Sequence, residues 1–204
     1  MTQKQPLLGL TLSELQAITK QLSMPLFTAK QMASWLYDKK VKTIDEMTNL
    51  SLKHRTLLNE LYEVGATAPM HAMSSVDGTI KYLYQVGENS FVEAVYIPDE
   101  ERATLCVSTQ AGCKMGCRFC MTGTLGFQAH LTAADILNQI FYFDLSGNPA
   151  TSNKALLPLT NIVYMGEGEP MDNIDEVLRS LTVLTADYAC GWSPKRVTVS
   201  SVGV

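Results

Sequence analysis

Three cysteines, Cys113, Cys117 and Cys120, fall at C-x3-C-x2-C spacing inside one short run, residues 112–123. Thiolates held that closely are ligands for a soft metal. Glycines at 112, 116, 123 and 126 let the backbone wrap a bulky group, because glycine accepts positive φ and close approach. An iron–sulfur cluster normally takes four cysteine ligands, so three would leave one iron open for chemistry. A structural zinc site needs four protein ligands, and the nearest histidine, His130, does not stand at finger spacing. A disulfide framework suits small secreted domains, and five cysteines are an odd number to pair. A cluster is the expected occupant, with zinc or plain thiols as the alternatives.

Such a loop needs a strand before it and a helix after it. Residues 103–108 supply the strand, with Leu105 and Val107 on one face and Thr104, Cys106 and Ser108 on the other. In a barrel the first set meets helices and the second the lumen, which turns Cys106 inward above the loop. A lone strand cysteine is otherwise a small hydrophobe. Beyond the loop, Thr132 and Asp135 cap a helix, Ile136, Leu137, Ile140 and Phe141 form its buried stripe, and Ser146-Gly147-Asn148-Pro149 stops it. A strand over 161–165 then runs into Gly166-Glu167-Gly168-Glu169-Pro170, at the strand end where α/β folds place ligands. Its acidity argues against a phosphate cradle. An exposed glutamate there would accept hydrogen bonds from a cationic amino group, although such a sequence is also found in simple tight turns. A helix over 172–187 buries Ile174, Val177, Leu178, Leu181 and Leu184, Cys190 reads as structural, and a strand over 197–201 follows.

Upstream the pattern is helical. Thr11 and Glu14 form a capping box, and Leu15, Ile18 and Leu22 make the stripe of a helix that Pro25 ends. A second helix over 28–38 shows Met32, Trp35 and Leu36 on one face, and a third over 52–62 shows Leu57, Leu58 and Leu61. Short, closely connected helices of this kind make a compact module. The basic runs Lys39-Lys40-Val41-Lys42 and Lys53-His54-Arg55 are either phosphate contacts or a solvated face. Residues 66–75 read as a connector, and 79–86 with 90–97 as a hairpin. On its second strand Glu93 shares a face with Phe91, Val95 and Ile97. On an apolar face its pKa would rise, as a general base requires; on a partly wet face it is an ordinary surface acid.

The 204 residues are 46% hydrophobic, enough to bury a core and too apolar for a disordered chain. No apolar run reaches membrane-spanning length and the first residues form no secretory signal, so the expected setting is reducing and cytoplasmic, with no membrane partner. The net charge of −4 is uneven. Residues 1–85 carry nine Lys/Arg against seven Asp/Glu, and residues 86–204 carry seven against thirteen. The front of the chain therefore permits a nucleic-acid surface.

With Phe119 before its third cysteine, the loop resembles that of the radical S-adenosylmethionine (SAM) superfamily. The flanking Arg102-Ala103-Thr104-Leu105-Cys106-Val107-Ser108, with Gln110 and Gly112-Cys113, narrows the resemblance to the RlmN/Cfr family of RNA adenine methyltransferases. That resemblance implies an α/β fold: an incomplete radical-SAM partial (β/α) barrel over residues 101–204, preceded by a small helical, RNA-contacting accessory domain over 1–70 and a β-hairpin over 71–100. It implies that Cys113, Cys117 and Cys120 hold a [4Fe–4S] cluster, that Gly168 and Glu169 hold the methionyl amine of SAM, and that Ser200 contacts SAM. Glu93 matches the family's general base. Cys106 matches its second reactive thiol, which forms a disulfide with a methyl-carrying cysteine expected beyond residue 204. The chain departs from the family at Val202, where a small polar residue is commoner.

The implied substrates are adenines of 23S rRNA and tRNA, methylated at carbon 2, with carbon 8 the alternative, and electrons come from a donor such as flavodoxin. Carbon 2 of adenine is not nucleophilic, so polar methyl transfer fails and an open-shell route has a chemical reason. The adenine would be presented unstacked. Because the chain stops directly after a strand, it is expected to be part of a longer reading frame; a non-catalytic fragment that binds a cluster or RNA is the second expectation.

Overall fold

A reciprocal cap starts the first helix. The Glu14 carboxylate accepts the Thr11 N–H at 2.8 Å while the Thr11 hydroxyl accepts the Glu14 N–H at 3.4 Å, satisfying two donors that a helix start leaves open. The computed structural model describes residues 4–145 and 156–204; the helix stop expected at Ser146-Gly147-Asn148-Pro149 lies outside the described residues. Strand β1 (Gln5–Pro6) leads into helix α1 (Leu12–Gln21). Helix α2 (Thr28–Ala33) does not continue to residue 38 as an α-helix. Ser34–Asp38 widens into a π turn, in which the Lys39 N–H reaches the Ser34 carbonyl at 2.9 Å. The extra residue in that turn brings both Leu36 and Tyr37 into the core. Helix α3 (Leu52–Leu61), capped by Ser51, buries Leu58, but Leu61 is exposed at its end, where the chain enters β2 (Tyr62–Glu63) and pairs in parallel with β1.

The rest of the chain builds a six-stranded mixed sheet with helices. Strands β3 (His71–Ser74), β4 (Ile80–Gln85), β5 (Phe91–Asp99) and β6 (Arg102–Cys106) are antiparallel neighbours. The short β7 (Gln110–Ala111), helix α4 (Met121–Leu125) and β8 (Ala129–His130) form a side loop, followed by α5 (Ala133–Leu145). Strand β9 (Asn161–Tyr164), a 3-10 turn over Pro170–Asn173, α6 (Ile174–Thr185) and β10 (Val197–Val199) complete the order β10-β9-β6-β5-β4-β3, with β10, β9 and β6 parallel. The stretch expected to be a connector thus contains an edge strand, β3, whose His-Ala-Met-Ser sequence lacks β-branched residues. Pairing with β4, not propensity, makes it a strand.

The sheet has two unlike faces. Tyr82, Tyr84, Ala94, Tyr96, Leu105, Ile162 and Tyr164 are buried in one cluster with Ile136 and Leu137 of α5 and Val177 and Leu184 of α6. The opposite face carries Lys81, Glu93, Val95, Thr104, Cys106, Val163 and Thr198, all half-buried or exposed. Among the described residues no helix is long and apolar enough to cross a membrane.

Candidate functional site

All the sequence-predicted site residues come to one end of this sheet. The parallel strands β6 and β9 direct their C-terminal ends there, and antiparallel β5 brings its first residues. Cys106 lies opposite Val95, so Glu93, two residues earlier, is its diagonal neighbour at about 7–8 Å.

The irregular run after β6 is buried, and buried backbone groups need partners. Side-chain amides provide several. The Ser108 N–H donates to Gln139 Oε1 at 2.9 Å, and Gln139 Nε2 donates back to the Ser108 carbonyl at 3.0 Å. Asn173 Nδ2 donates to the carbonyls of Thr109 and Leu131 at 2.9 and 2.8 Å. Strands β7 and β8 then close the neck of the cysteine loop. At the neck Gly112 has φ +70°, and a Cβ there would sit 1.8 Å from the Gly126 carbonyl oxygen, so only glycine fits.

Beyond the neck the Cys120 N–H donates to the Cys117 carbonyl at 3.0 Å, and Cys113 Sγ accepts the Met115 N–H at 3.5 Å. The three loop thiols are half-buried, and all five cysteines are free, so no disulfide forms among them. The expected convergence is not present: among the described residues no three His, Cys, Asp or Glu side chains gather closely enough to hold a metal ion. In donor type the loop still fits a cluster. It offers three free soft ligands on one glycine-rich turn, and its tip leaves Phe119 94% exposed and Met121 76% exposed, so nothing packed on the tip blocks an incoming group.

The turn after β9 lies directly against this run. The Gly166 N–H donates to the Val107 carbonyl at 3.0 Å, and the Thr109 N–H to the Glu167 carbonyl at 2.9 Å. Ser108 Oγ accepts the Glu167 N–H at 2.9 Å and donates to the Glu93 carbonyl at 2.6 Å, joining three strands through one hydroxyl. The expected exposure of Glu169 does not hold: it is 3% exposed. Its carboxylate accepts the N–H groups of Met171 and Val202 at 2.9 and 3.0 Å. Burial pushes its pKa upward, but these bonds and the Ser201 hydroxyl outweigh that and hold it below the usual carboxylate range. Gly168 keeps φ +96° beside it. Strand β10 ends at Val199, before the expected residue 201. Ser200 is exposed just past it, its N–H 3.5 Å from the Tyr164 carbonyl.

Glu93 stands on the wetter face, its side chain 42% exposed and its carboxylate 3.1 Å from Lys81 Nζ. Burial raises the Cys106 thiol pKa, opposed by a hydrogen bond to the Met165 backbone. The sequence puts Glu167 in the turn at the strand end and Gln110 beside the loop, but assigns no role in the site to either of them or to Asp172. Glu167 Oε1 accepts the Glu93 N–H at 3.0 Å, and burial raises its pKa despite that bond and one from the Gly112 N–H. Asp172 is held below the usual range, first by Lys114 and then by Gln110. No periodicity or spacing marks these residues, because their contacts cross about sixty positions of chain in most cases.

Residues 5–64 match the family model of the ribosomal RNA large subunit methyltransferase N-terminal domain. The chain is 64% identical over 205 residues, 98% of its length, to a probable dual-specificity RNA methyltransferase RlmN of Bacteroides fragilis. It is 39% identical over 202 residues to the dual-specificity RNA methyltransferase RlmN of Marinobacter nauticus, covering 99% of this chain and 54% of that one. The crystal structure of a radical SAM methyltransferase from Sphaerobacter thermophilus superposes with a TM-score of 0.85 at 31% identity, covering 98% of this chain and 57% of that chain. The chain spans 56% of the Bacteroides fragilis relative's length.

Proposed function

From its similarity to RlmN methyltransferases over nearly its whole length, we propose that the chain belongs to the RlmN family of RNA methyltransferases and that the whole protein is a radical SAM enzyme that methylates carbon 2 of adenine in 23S rRNA and tRNA. The observation that carries this reading is the meeting, at one end of one sheet, of the cysteine loop, the Gly-Glu-Gly-Glu-Pro turn and the Glu93–Cys106 pair of neighbours. The parallel strands β6, β9 and β10 would be the opening strands of a partial barrel, with the half-exposed face as its lumen.

Cys113, Cys117 and Cys120 would hold a [4Fe–4S] cluster, and Gly168, Glu169 and Ser200 would border the SAM. When bound, that pair supplies reductive cleavage of SAM and a carbon radical able to take a hydrogen atom. Glu93 is the proton acceptor: its carboxylate is on the open face, 3.1 Å from Lys81 Nζ. Cys106, one diagonal step away, is the resolving thiol, stored protonated by its burial. The helical layer would grip RNA through Lys39, Lys40, Lys42, Lys53 and Arg55, and a reduced electron-transfer protein such as flavodoxin would supply the electron.

Full-length protein, including the methyl-carrying cysteine expected beyond residue 204, is reconstituted anaerobically and given SAM, a one-electron reductant and 23S rRNA or tRNA; it is expected to release 5′-deoxyadenosine and to yield 2-methyladenosine on nucleoside mass spectrometry. Methylation at carbon 8 would assign the other branch of the family, and colourless protein without iron would end the proposal. Release of 5′-deoxyadenosine with the RNA left unmethylated would support a second reading, binding of the cluster and SAM without methyl transfer.

A further inference from the structure

We propose that Gln110 is a positioning residue that sets the distance between the cysteine loop and the turn after β9, with Lys114 and Asp172 as the outer arm of the same strut. The inference rests on reading that loop and turn as the cofactor site.

Gln110 is fully buried at the neck of the loop. A primary amide offers one acceptor oxygen and two donor hydrogens, and here the oxygen and one hydrogen have partners of fixed sense. Oε1 accepts the Glu169 N–H at 2.8 Å. Nε2 donates to Asp172 Oδ2 at 2.7 Å and lies 3.2 Å from His130 Nδ1. Rotating the amide by half a turn would set its oxygen against the Asp172 carboxylate and its N–H against the Glu169 N–H, so its orientation is fixed. Backbone packing adds to this grip, since a Cβ on Gly168 would lie 2.5 Å from Gln110 Cβ. The turn is laid on the Gln110 side chain.

The outer arm starts beside a proposed cluster ligand. Lys114, next to Cys113, pairs with Asp172 at 2.9 Å and lies 4.4 Å from the centre of the Phe127 ring. Contacts therefore run without a gap from Cys113 through Lys114, Asp172 and Gln110 to the backbone of Glu169. The two ends of that path are the residues that would hold the cluster and the methionyl amine. An apolar side chain of similar volume would fill the same space but hold neither end.

The test compares the parent protein with Gln110→Leu and Lys114→Met. In metal-free protein, the Glu169 amide of Gln110→Leu is expected to exchange its hydrogen faster than in the parent. After reconstitution, iron and sulfide per chain should match the parent. The SAM-dependent change in the reduced-cluster resonance should then require about tenfold more SAM, the loss expected for one hydrogen bond to a charged or strongly polar partner. Lys114→Met, at a half-exposed position, should shift the SAM titration in the same direction but less. Parental SAM titrations in both variants at full cluster content would overturn the proposal. If Gln110→Leu does not fold, an unshifted titration in Lys114→Met overturns it alone. A parent protein with iron but no SAM-dependent resonance would instead remove the functional reading beneath the proposal.

Discussion

Burial raises the pKa of both Cys106 and Glu167, with different consequences. For Cys106 it keeps a thiol in its unreactive form, because the thiolate is the nucleophile. Its alkylation by iodoacetamide, followed by peptide mass spectrometry, should still be accelerating above about pH 8.5, where an unperturbed thiol begins to level off. For Glu167 burial is a cost to the fold. A carboxyl whose folded pKa lies above its unfolded value contributes most below the unfolded pKa and loses that contribution as pH rises through the folded one. Glu167→Gln keeps an acceptor for the Glu93 and Gly112 N–H groups and removes the charge. It should therefore raise the melting temperature at pH 8 by up to about 2 °C, with the gain shrinking towards pH 4. Glu93 should behave otherwise. Under the proposed function, Glu93→Gln keeps 5′-deoxyadenosine release and slows methyl transfer by about 10²–10⁴-fold, the usual worth of a general base.

At the level of elements, the neck of the cysteine loop can be tested with two glycines of similar φ. Gly112 has φ +70° and no room for a Cβ, whereas Gly126 has φ +73° and nothing within 4 Å. Gly126→Ala, at ψ 170° in a region that glycine almost alone occupies, should cost about 1–3 kcal/mol from backbone strain. Gly112→Ala adds overlap with a carbonyl oxygen and should cost at least about 3 kcal/mol, with lost iron loading. Thermal melting and iron analysis would separate the two. Much of this architecture is legible in residue order: the Thr11–Glu14 and Thr132–Asp135 caps form as their spacing requires, and period two sorts Leu105 from Cys106. Glu169 shows where that kind of reading ends. A glutamate in a glycine-rich turn reads as exposed, yet the segment after β10 folds over it and donates the Val202 N–H. The π turn at Ser34–Asp38 and strand β3 were equally hidden, since both follow from packing partners and not from local propensity.

For the whole molecule the question is whether the helical layer and the sheet layer unfold together. One contiguous buried cluster includes Leu15, Met32 and Leu58 from the first and Tyr96, Leu137 and Ile162 from the second. Polar ties cross the same boundary: the Leu12 N–H donates to the Tyr188 hydroxyl at 3.2 Å, Thr67 and Asn138 exchange hydrogen bonds of 2.9 and 3.0 Å, and Arg179 stands 3.5 Å from Glu14. The Tyr37 ring lies 5.9 Å from that of Phe141, and its hydroxyl donates to the Leu10 carbonyl. A small module joined by a free linker would melt on its own, whereas a shared core should give one transition. The chain's two tryptophans allow a direct measurement, since Trp35 lies in the helical layer and Trp192 follows α6. With each in turn replaced by phenylalanine, the remaining tryptophan should report the same urea midpoint. Tyr37→Ala, which removes a fully buried ring at the junction, should lower both midpoints together by an amount equivalent to about 3–5 kcal/mol. If Trp35 responded to that substitution while the Trp192 transition stayed in place, the two layers would be separate folding units and the shared core would be contact without cooperativity.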